Sequence, residues 1–382
     1  MDNAIRESIQ MIWKQLLKSQ PTSRAELAKQ CGFSKVTASS CVDWLLEKGL
    51  VQELGVTEIR RGRPPMLLSV NGEAGVLAGI EADKISSKIV VTDLAGNLLE
   101  RHDLPAIDAE PKTFVNQVAA YLKQFQKTYA DRRLGVVGVG FAIVGSYNQE
   151  EGTIEYVANQ MEWNHYPFRL EMEKMSPEIP FLVSQIAKVS ALGEVRFGDG
   201  DSSDYLAFLS ANWGIGVGLY DGVTGHLTRT TRFGHATIDY NGKPCICGNR
   251  GCLEAYASIR ALFEQFYPEE TPSFSLFQDL VQRLRSGDEK VVSAVYEMAE
   301  YLAIGIVNVI NAYNPRQICI GGLLSFLITD EMLSKICSLV DDMVPPHFRK
   351  DLRIYVSRLG DMAAVYGCVA MIRDQLTGFF GM

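Results

Sequence analysis

The chain has 382 residues, 47% hydrophobic and 21% charged, with a formal net charge of −8, an ordinary globular composition long enough for two or three domains. No run of about eighteen apolar residues offers a membrane span, and Met1 to Trp13 is amphipathic rather than a signal peptide. The expected compartment is the cytoplasm, where thiols stay reduced and a tight cysteine cluster reads as metal-binding before it reads as disulfides.

Charge divides the chain. Residues 1–65 hold ten Lys/Arg against seven Asp/Glu, a net of +3, so the remainder carries −11. A basic head on an acidic body suits contact with a polyanion. Ile5, Ile9, Ile12, Trp13, Leu16 and Leu17 follow helical spacing. Ser23 with Glu26 forms a capping box for a second, short helix that buries Leu27 and Ala28 and ends at Gly32. Ser34 caps a third helix over 34–47, with Ala38, Val42, Leu45 and Leu46 as its buried stripe and Gly49 as its stop. Two short strands follow around a turn. Three helices and a β-wing make a winged helix-turn-helix over 1–70. Its third helix would offer Ser34, Lys35, Val36, Thr37 and Ser40 to a DNA major groove, and a protein-interaction module of the same shape is the alternative. Arg61-Gly62-Arg63-Pro64 has the core of an AT-hook, in which Arg enters a narrow minor groove. It also reads as a basic linker to the next domain.

From about residue 75 the pattern alternates strands with helices, which indicates α/β lobes. Residues 75–104 read as paired strands with a turn at Ala95-Gly96-Asn97. "VNQVAAYLKQFQKTY" is an amphipathic helix and "LGVVGVGFAIV" a buried strand. Strands around "ANWG", a long helix from "MAEYL" to "NP", the strands "QICIGG" and "RIYVSRL" and a closing helix complete the body. Within it, His235, Cys245, Cys247 and Cys252 form H-x9-C-x-C-x4-C. One nitrogen and three thiolates fill a closed tetrahedral Zn²⁺ site with no place for water, so the metal is expected to be structural. Free cysteines in a loop are the alternative. Cys31, Cys41, Cys319, Cys337 and Cys368 fall in apolar stripes and read as core.

The order of winged helix, β-hairpin, "NWGIGVG", "GHATIDYNGKPCICGNRGCLEAYAS" and "NPRQICIGG" resembles the ROK family of bacterial repressors and sugar kinases, in its xylose-repressor-like form, over essentially the whole chain. The resemblance implies an actin-like (RNase H-like) body of two lobes with a sugar cleft between them, 75–185 with the closing helix 360–380 as one lobe and 186–359 as the other. Members resembling the His/Cys stretch bind zinc with the matching four residues.

Two parts that the family's kinases need are altered. Their phosphate turn is of Asp-x-Gly-Gly-Thr type, and here "GIEADKIS" places Asp83 and Lys84 where glycines would lie. A carboxylate there repels triphosphate and side chains block backbone approach. Their Glu-Asn-Asp stretch reads Ser184-Gln185-Ile186, and isoleucine cannot serve as a general base. The chain is therefore expected not to be an enzyme. The sugar contacts are eroded as well. Asn159 with Trp163, Gln185, His235 and Glu254 remain as ligand-binding candidates, while Arg232 replaces an acid and Lys188 stands where Asn is frequent. Either the cleft takes an anionic sugar derivative through Arg232 and Lys188, or it is empty of ligand and Arg232 pairs with an acid such as Glu254. The resulting expectation is a repressor of carbohydrate-utilisation genes that binds operator DNA as a homodimer or higher oligomer, with a sugar-related effector and no membrane partner. A sugar kinase with an accessory head and a ligand-blind DNA-binding scaffold are the competing readings.

Overall fold

In the computed structural model, which describes residues 3–56, 65–107, 110–158, 160–228 and 232–380, the chain opens with the helix Asn3–Ser19. Its inner face is Ile9, Ile12, Trp13 and Leu16, all buried. Ile5, expected on that face, is 48% exposed, because the stripe that meets the rest of the head starts one turn later. The helix Arg24–Cys31 begins at Ser23, whose hydroxyl accepts the Glu26 N–H at 3.2 Å, and ends at Gly32 with φ +69°. The helix Lys35–Glu47 begins at Ser34, which accepts the Thr37 N–H at 3.1 Å. Ala38, Cys41, Val42 and Leu45 form its buried stripe. Leu46, expected there, is half-buried; the 3-4 repeat of the buried positions places it at the edge and Cys41 at the centre.

The strands Val51–Val56 and Met66–Val70 pair antiparallel, and Thr22–Ser23 adds a third, short strand on the other side of Met66–Val70. This pairing corrects the position of Arg61-Gly62-Arg63-Pro64. The tetrapeptide connects the two wing strands and so is not a linker from head to body. Arg61 and Arg63 themselves lie outside the described residues.

The body holds two five-stranded sheets. The first runs in the order Phe181–Gln185, Val136–Ile143, Val76–Ala82, Ser87–Asp93, Leu98–Leu104. The second runs His226–Leu227, Ile215–Asp221, Leu206–Ala211, Gln317–Gly321, Arg353–Val356. Each combines three parallel neighbours with an antiparallel hairpin side. Two helices, Ile186–Phe197 and Ala363–Asp374, pack against each other between the sheets. Their crossing depends on two glycines. A Cβ at Gly193 would strike the Ala363 carbonyl, and one at Gly367 the Val189 carbonyl, so only hydrogen lets the backbones approach this closely.

The helix Glu289–Tyr313 starts at Asp288, whose carboxylate accepts the Lys290 N–H at 3.0 Å, and stops at Asn314 in the left-handed region, φ +45°. By length and composition it is the single helix, among the described residues, apolar enough to cross a bilayer. Val291, Val295, Leu302, Ile306 and Ile310 are instead buried in the core of the second sheet's lobe. Cys41, Cys319 and Cys368 are buried as expected, whereas Cys31 and Cys337 are half-buried.

Head and body share a core. Ile9, Ile12, Trp13 and Leu16 belong to one apolar cluster with Leu77 and Val90 of the first sheet and Val365, Val369 and Ile372 of the closing helix. At its centre the fully buried Trp13 indole N–H donates to the Arg373 carbonyl at 2.7 Å.

Candidate metal centre, interlobe cleft and DNA-binding head

The third helix of the head separates its two faces cleanly. Ser34, Lys35, Val36, Thr37 and Ser40 are all exposed, and Val36 is 77% exposed. The Ser34 and Thr37 hydroxyls lie 2.8 Å apart and the Ser34 hydroxyl also caps the helix, which fixes the first turn that points outward. Arg24 braces this helix from behind by donating to the Ser39 carbonyl at 3.3 Å and pairing with Asp43 at 2.6 Å. Arg24 was not among the expected site residues.

At the turn between Val76–Ala82 and Ser87–Asp93, the side chains face inward and fill the space between the lobes. Ile85 is 3% exposed and belongs to the core cluster of the second sheet. Lys84 lies over the Trp213 ring at 5.6 Å. Asp83 is buried, accepts the Ile85 N–H at 3.2 Å, and is raised above the usual carboxylate range by burial. Behind it, the Lys88 ammonium, 1% exposed, pairs with Glu81 at 3.0 Å and Asp361 at 3.1 Å and donates to the Asp361 carbonyl at 2.9 Å. Burial outweighs Lys88 at Glu81 and raises its carboxyl to about 7. Asn212 of the second sheet closes the group, donating to Glu81 at 3.4 Å and accepting the Leu323 N–H at 2.7 Å. Within this turn the Asp83 N–H donates to the Ser87 hydroxyl at 3.0 Å and the Ile85 N–H to Asp83.

The remaining candidates surround the strand Ile215–Asp221. The first turn of the helix Ile186–Phe197 presses on it, since a Cβ at Gly218 would stand 2.9 Å from the Lys188 Cα. Lys188 is half-buried. Glu254 is 7% exposed and accepts the Ile215 N–H at 3.0 Å, with Arg260 at 4.0 Å. Glu254 is thus not the partner of Arg232, which is exposed; water solvates its charge and no buried partner is required. Gln185 donates to the Gly145 carbonyl at 2.8 Å, tying two strand ends of the first lobe. Trp163 is 1% exposed and packs edge-on to Phe114 within the first lobe's core, so it supports its loop from beneath. Asn159 lies outside the described residues.

His235, Cys245, Cys247 and Cys252 converge. One ligand atom from each lies within 4.8 Å of all the others. The His235 Nδ1 and Cys245 Sγ are 3.6 Å apart, and the Cys247 and Cys252 sulfurs 3.7 Å. Tetrahedral bonds of about 2.0–2.3 Å place ligand atoms about 3.3–3.8 Å apart, so both edges fit a Zn²⁺-sized ion. The loop returns on itself through the Cys245 N–H to Asn249 carbonyl bond at 2.8 Å and the Gly251 N–H to Lys243 carbonyl bond at 2.7 Å. Gly248 and Gly251, at φ +89° and +69°, supply the left-handed backbone this needs. Asn249 donates to Cys252 Sγ at 3.6 Å and to Thr237 at 2.9 Å. Burial and the neighbouring Cys247 and Cys245 push the Cys252 thiol up to about 12. A divalent cation at the centre reverses that balance, because it converts crowded thiols into thiolate ligands.

The fold and these sites define a two-lobed, actin-like α/β protein carrying a winged-helix head and a His/Cys cluster that could hold a metal ion. Residues 77–375 match the ROK family, and the chain belongs to it. It is 28% identical to the xylose repressor of Caldicellulosiruptor bescii over 97% of this chain and 96% of that one. Its fold is similar to that of a ROK family transcriptional regulator, a homologue of the E. coli MLC protein, with a TM-score of 0.80, 24% identity and coverage of 99% and 98%. A ROK glucokinase from Streptomyces griseus matches with a TM-score of 0.64 and 21% identity, covering 78% of this chain and 99% of the kinase.

Proposed function

We propose that this protein is a DNA-binding transcriptional repressor of carbohydrate-utilisation genes, acting in the cytoplasm as a homodimer. The observation that carries this reading is the first turn of the helix Lys35–Glu47, which stands free of the head's core with a cation, a methyl-bearing side chain and two hydroxyls exposed. Lys35 suits phosphate or a guanine edge, and Val36 suits a thymine methyl group. Ser34, Thr37 and Ser40 serve as short polar contacts, and Arg61 and Arg63 at the wing connection reach the flanking minor groove. Two heads in a symmetric dimer match two half-sites. Repressor relatives over nearly the full length, head included, support the same reading.

The body is a sensor without catalysis. Ile186 supplies no base, and the Ile85 plug and the Lys88 group occupy the turn that a phosphate chain would need. His235, Cys245, Cys247 and Cys252 hold a structural Zn²⁺ that fixes the loop beside Glu254. The effector is a sugar or anionic sugar derivative met by Gln185, Lys188, Arg232, His235, Glu254 and Asn159 with Trp163. It biases the head by favouring one lobe arrangement over another. The test is titration of the full chain with duplex DNA. Binding that weakens by more than about tenfold between roughly 50 and 200 mM salt supports it, and affinity independent of salt contradicts it.

A further inference from the structure

The helix Lys35–Glu47 is held at its C-terminal end by the body. Its last turn closes largely on itself, since the Trp44, Leu45 and Leu46 carbonyls accept the N–H groups of Lys48, Leu50 and Gly49. The carbonyl of Glu47, the last helical residue, instead accepts from the Arg133 guanidinium. Arg133 belongs to the first lobe, in the connection between the helix Pro111–Thr128 and the strand Val136–Ile143. The same guanidinium lies against Gly49, where a Cβ would stand 2.7 Å from its Nη1. Gly49 turns the chain at φ +77°, so one glycine both ends the helix and leaves room for the arginine. A cation at a helix C-terminus also complements the helix dipole.

Arg133 is itself tied to the first sheet. The Leu134 N–H donates to the Ala74 carbonyl at 2.7 Å, and the Gly135 carbonyl accepts the Val76 N–H at 2.9 Å. The Leu134 side chain packs against the apolar cluster that head and body share. From the head's side, Arg24 holds the same helix near its middle, at Ser39 and Asp43. The Arg133 bond to Glu47 is exposed to water and adds little to stability. Its consequence is where the helix lies. The 13 residues of that helix span about 20 Å, so Arg133 grips the end opposite to the outward-facing first turn.

We infer that Arg133 is a positioning residue for DNA reading, through which the first lobe sets the attitude of the helix Lys35–Glu47 in the groove. This rests on the DNA-binding reading above and names a contact through which the body acts on the head. A guanidinium at the far end of the helix makes no base contact; it aligns Lys35, Val36 and Thr37. Alignment matters on a specific site and hardly on a random one, where affinity comes from phosphate charge.

The test compares full-length wild type and Arg133→Ala on two duplexes of equal length, one that the wild type enriches from a random pool and a scrambled version of it. Both are titrated across roughly 50–200 mM salt. Arg133→Ala weakens binding to the enriched duplex by about fivefold or more. It leaves the scrambled duplex, the salt slope and the melting temperature close to wild type. Arg133→Lys, which keeps a cationic donor at the helix end, recovers part of the loss. Equal affinity of wild type and Arg133→Ala for the enriched duplex overturns the inference. So does a loss of the same size on both duplexes with a salt slope lower by about one, the mark of an ordinary phosphate contact. In both of these the wild type binds DNA and the DNA-binding reading stands, whereas wild type that enriches no duplex removes that reading and this inference together.

Discussion

At the scale of single residues, the candidate metal centre is the sharpest feature. Its four His/Cys residues sit within eighteen positions, from His235 to Cys252, so their convergence is legible in the spacing. Purified without chelators, the protein should carry one Zn²⁺ per chain. Cys247→Ser should reduce that to near zero by elemental analysis and lower the melting temperature, since the energy of metal binding is also energy of folding. Metal-free wild type, or a fully loaded variant, would refute the assignment. The Lys88 group is the opposite case. Lys88 and Asp361 are 273 positions apart, and a lysine within "SKIVV" reads as an ordinary exposed side chain. Nothing local to the sequence shows that both faces of that strand are covered. Arg232 is exposed and Glu254 lies by Arg260 instead; a position inherited from a family's cleft gives no measure of exposure.

At the scale of elements, caps and periodicity carried most of the reading. Ser23, Ser34 and Gly32 punctuate the head helices as their side-chain chemistry requires. The wing is legible, but the strand Thr22–Ser23 is too short to produce an alternating pattern, and the residues joining the two wing strands have the composition of a linker. The turn "EADKIS" shows what an element does when its chemistry changes. Asp83 and Lys84 stand in the sequence where a phosphate turn has glycines, but the insertion of Ile85 into the opposite lobe's core is a tertiary fact. It leads to a specific expectation. Restoring a general base with Ile186→Asp should yield no phosphorylation of any hexose or pentose with ATP and Mg²⁺. A general base alone contributes about 10²–10⁴-fold, and the plugged turn withholds the rest. Coupled-assay turnover by wild type or this variant would revive the kinase reading.

At the scale of the whole molecule, the head is not an appendage. Trp13, Ile12 and Leu16 are buried in the same cluster as Val369 and Ile372, so the two units should unfold in one transition. Trp13→Ala should cost about 3–5 kcal/mol, as large-to-small changes in cores do, and should lower the thermal stability of the body with that of the head. Two separate transitions in wild type, or a Trp13→Ala variant whose body melts unchanged, would show that the shared core is not cooperative. The sequence divides at about residue 70 because composition and pattern change there; the contact across that boundary pairs residues 360 positions apart and leaves no local trace. Through this continuity the proposed sensor body would act on the proposed DNA-reading head. The most direct measurement is selection of binding sites by the full-length protein from a pool of random duplexes, followed by titration of the winning sequence. The account predicts a pseudo-palindromic site bound at least about 10³-fold more tightly than random DNA, weakened by Lys35→Ala and by rising salt. A pool that remains unenriched, with equal affinity for every duplex, would contradict it.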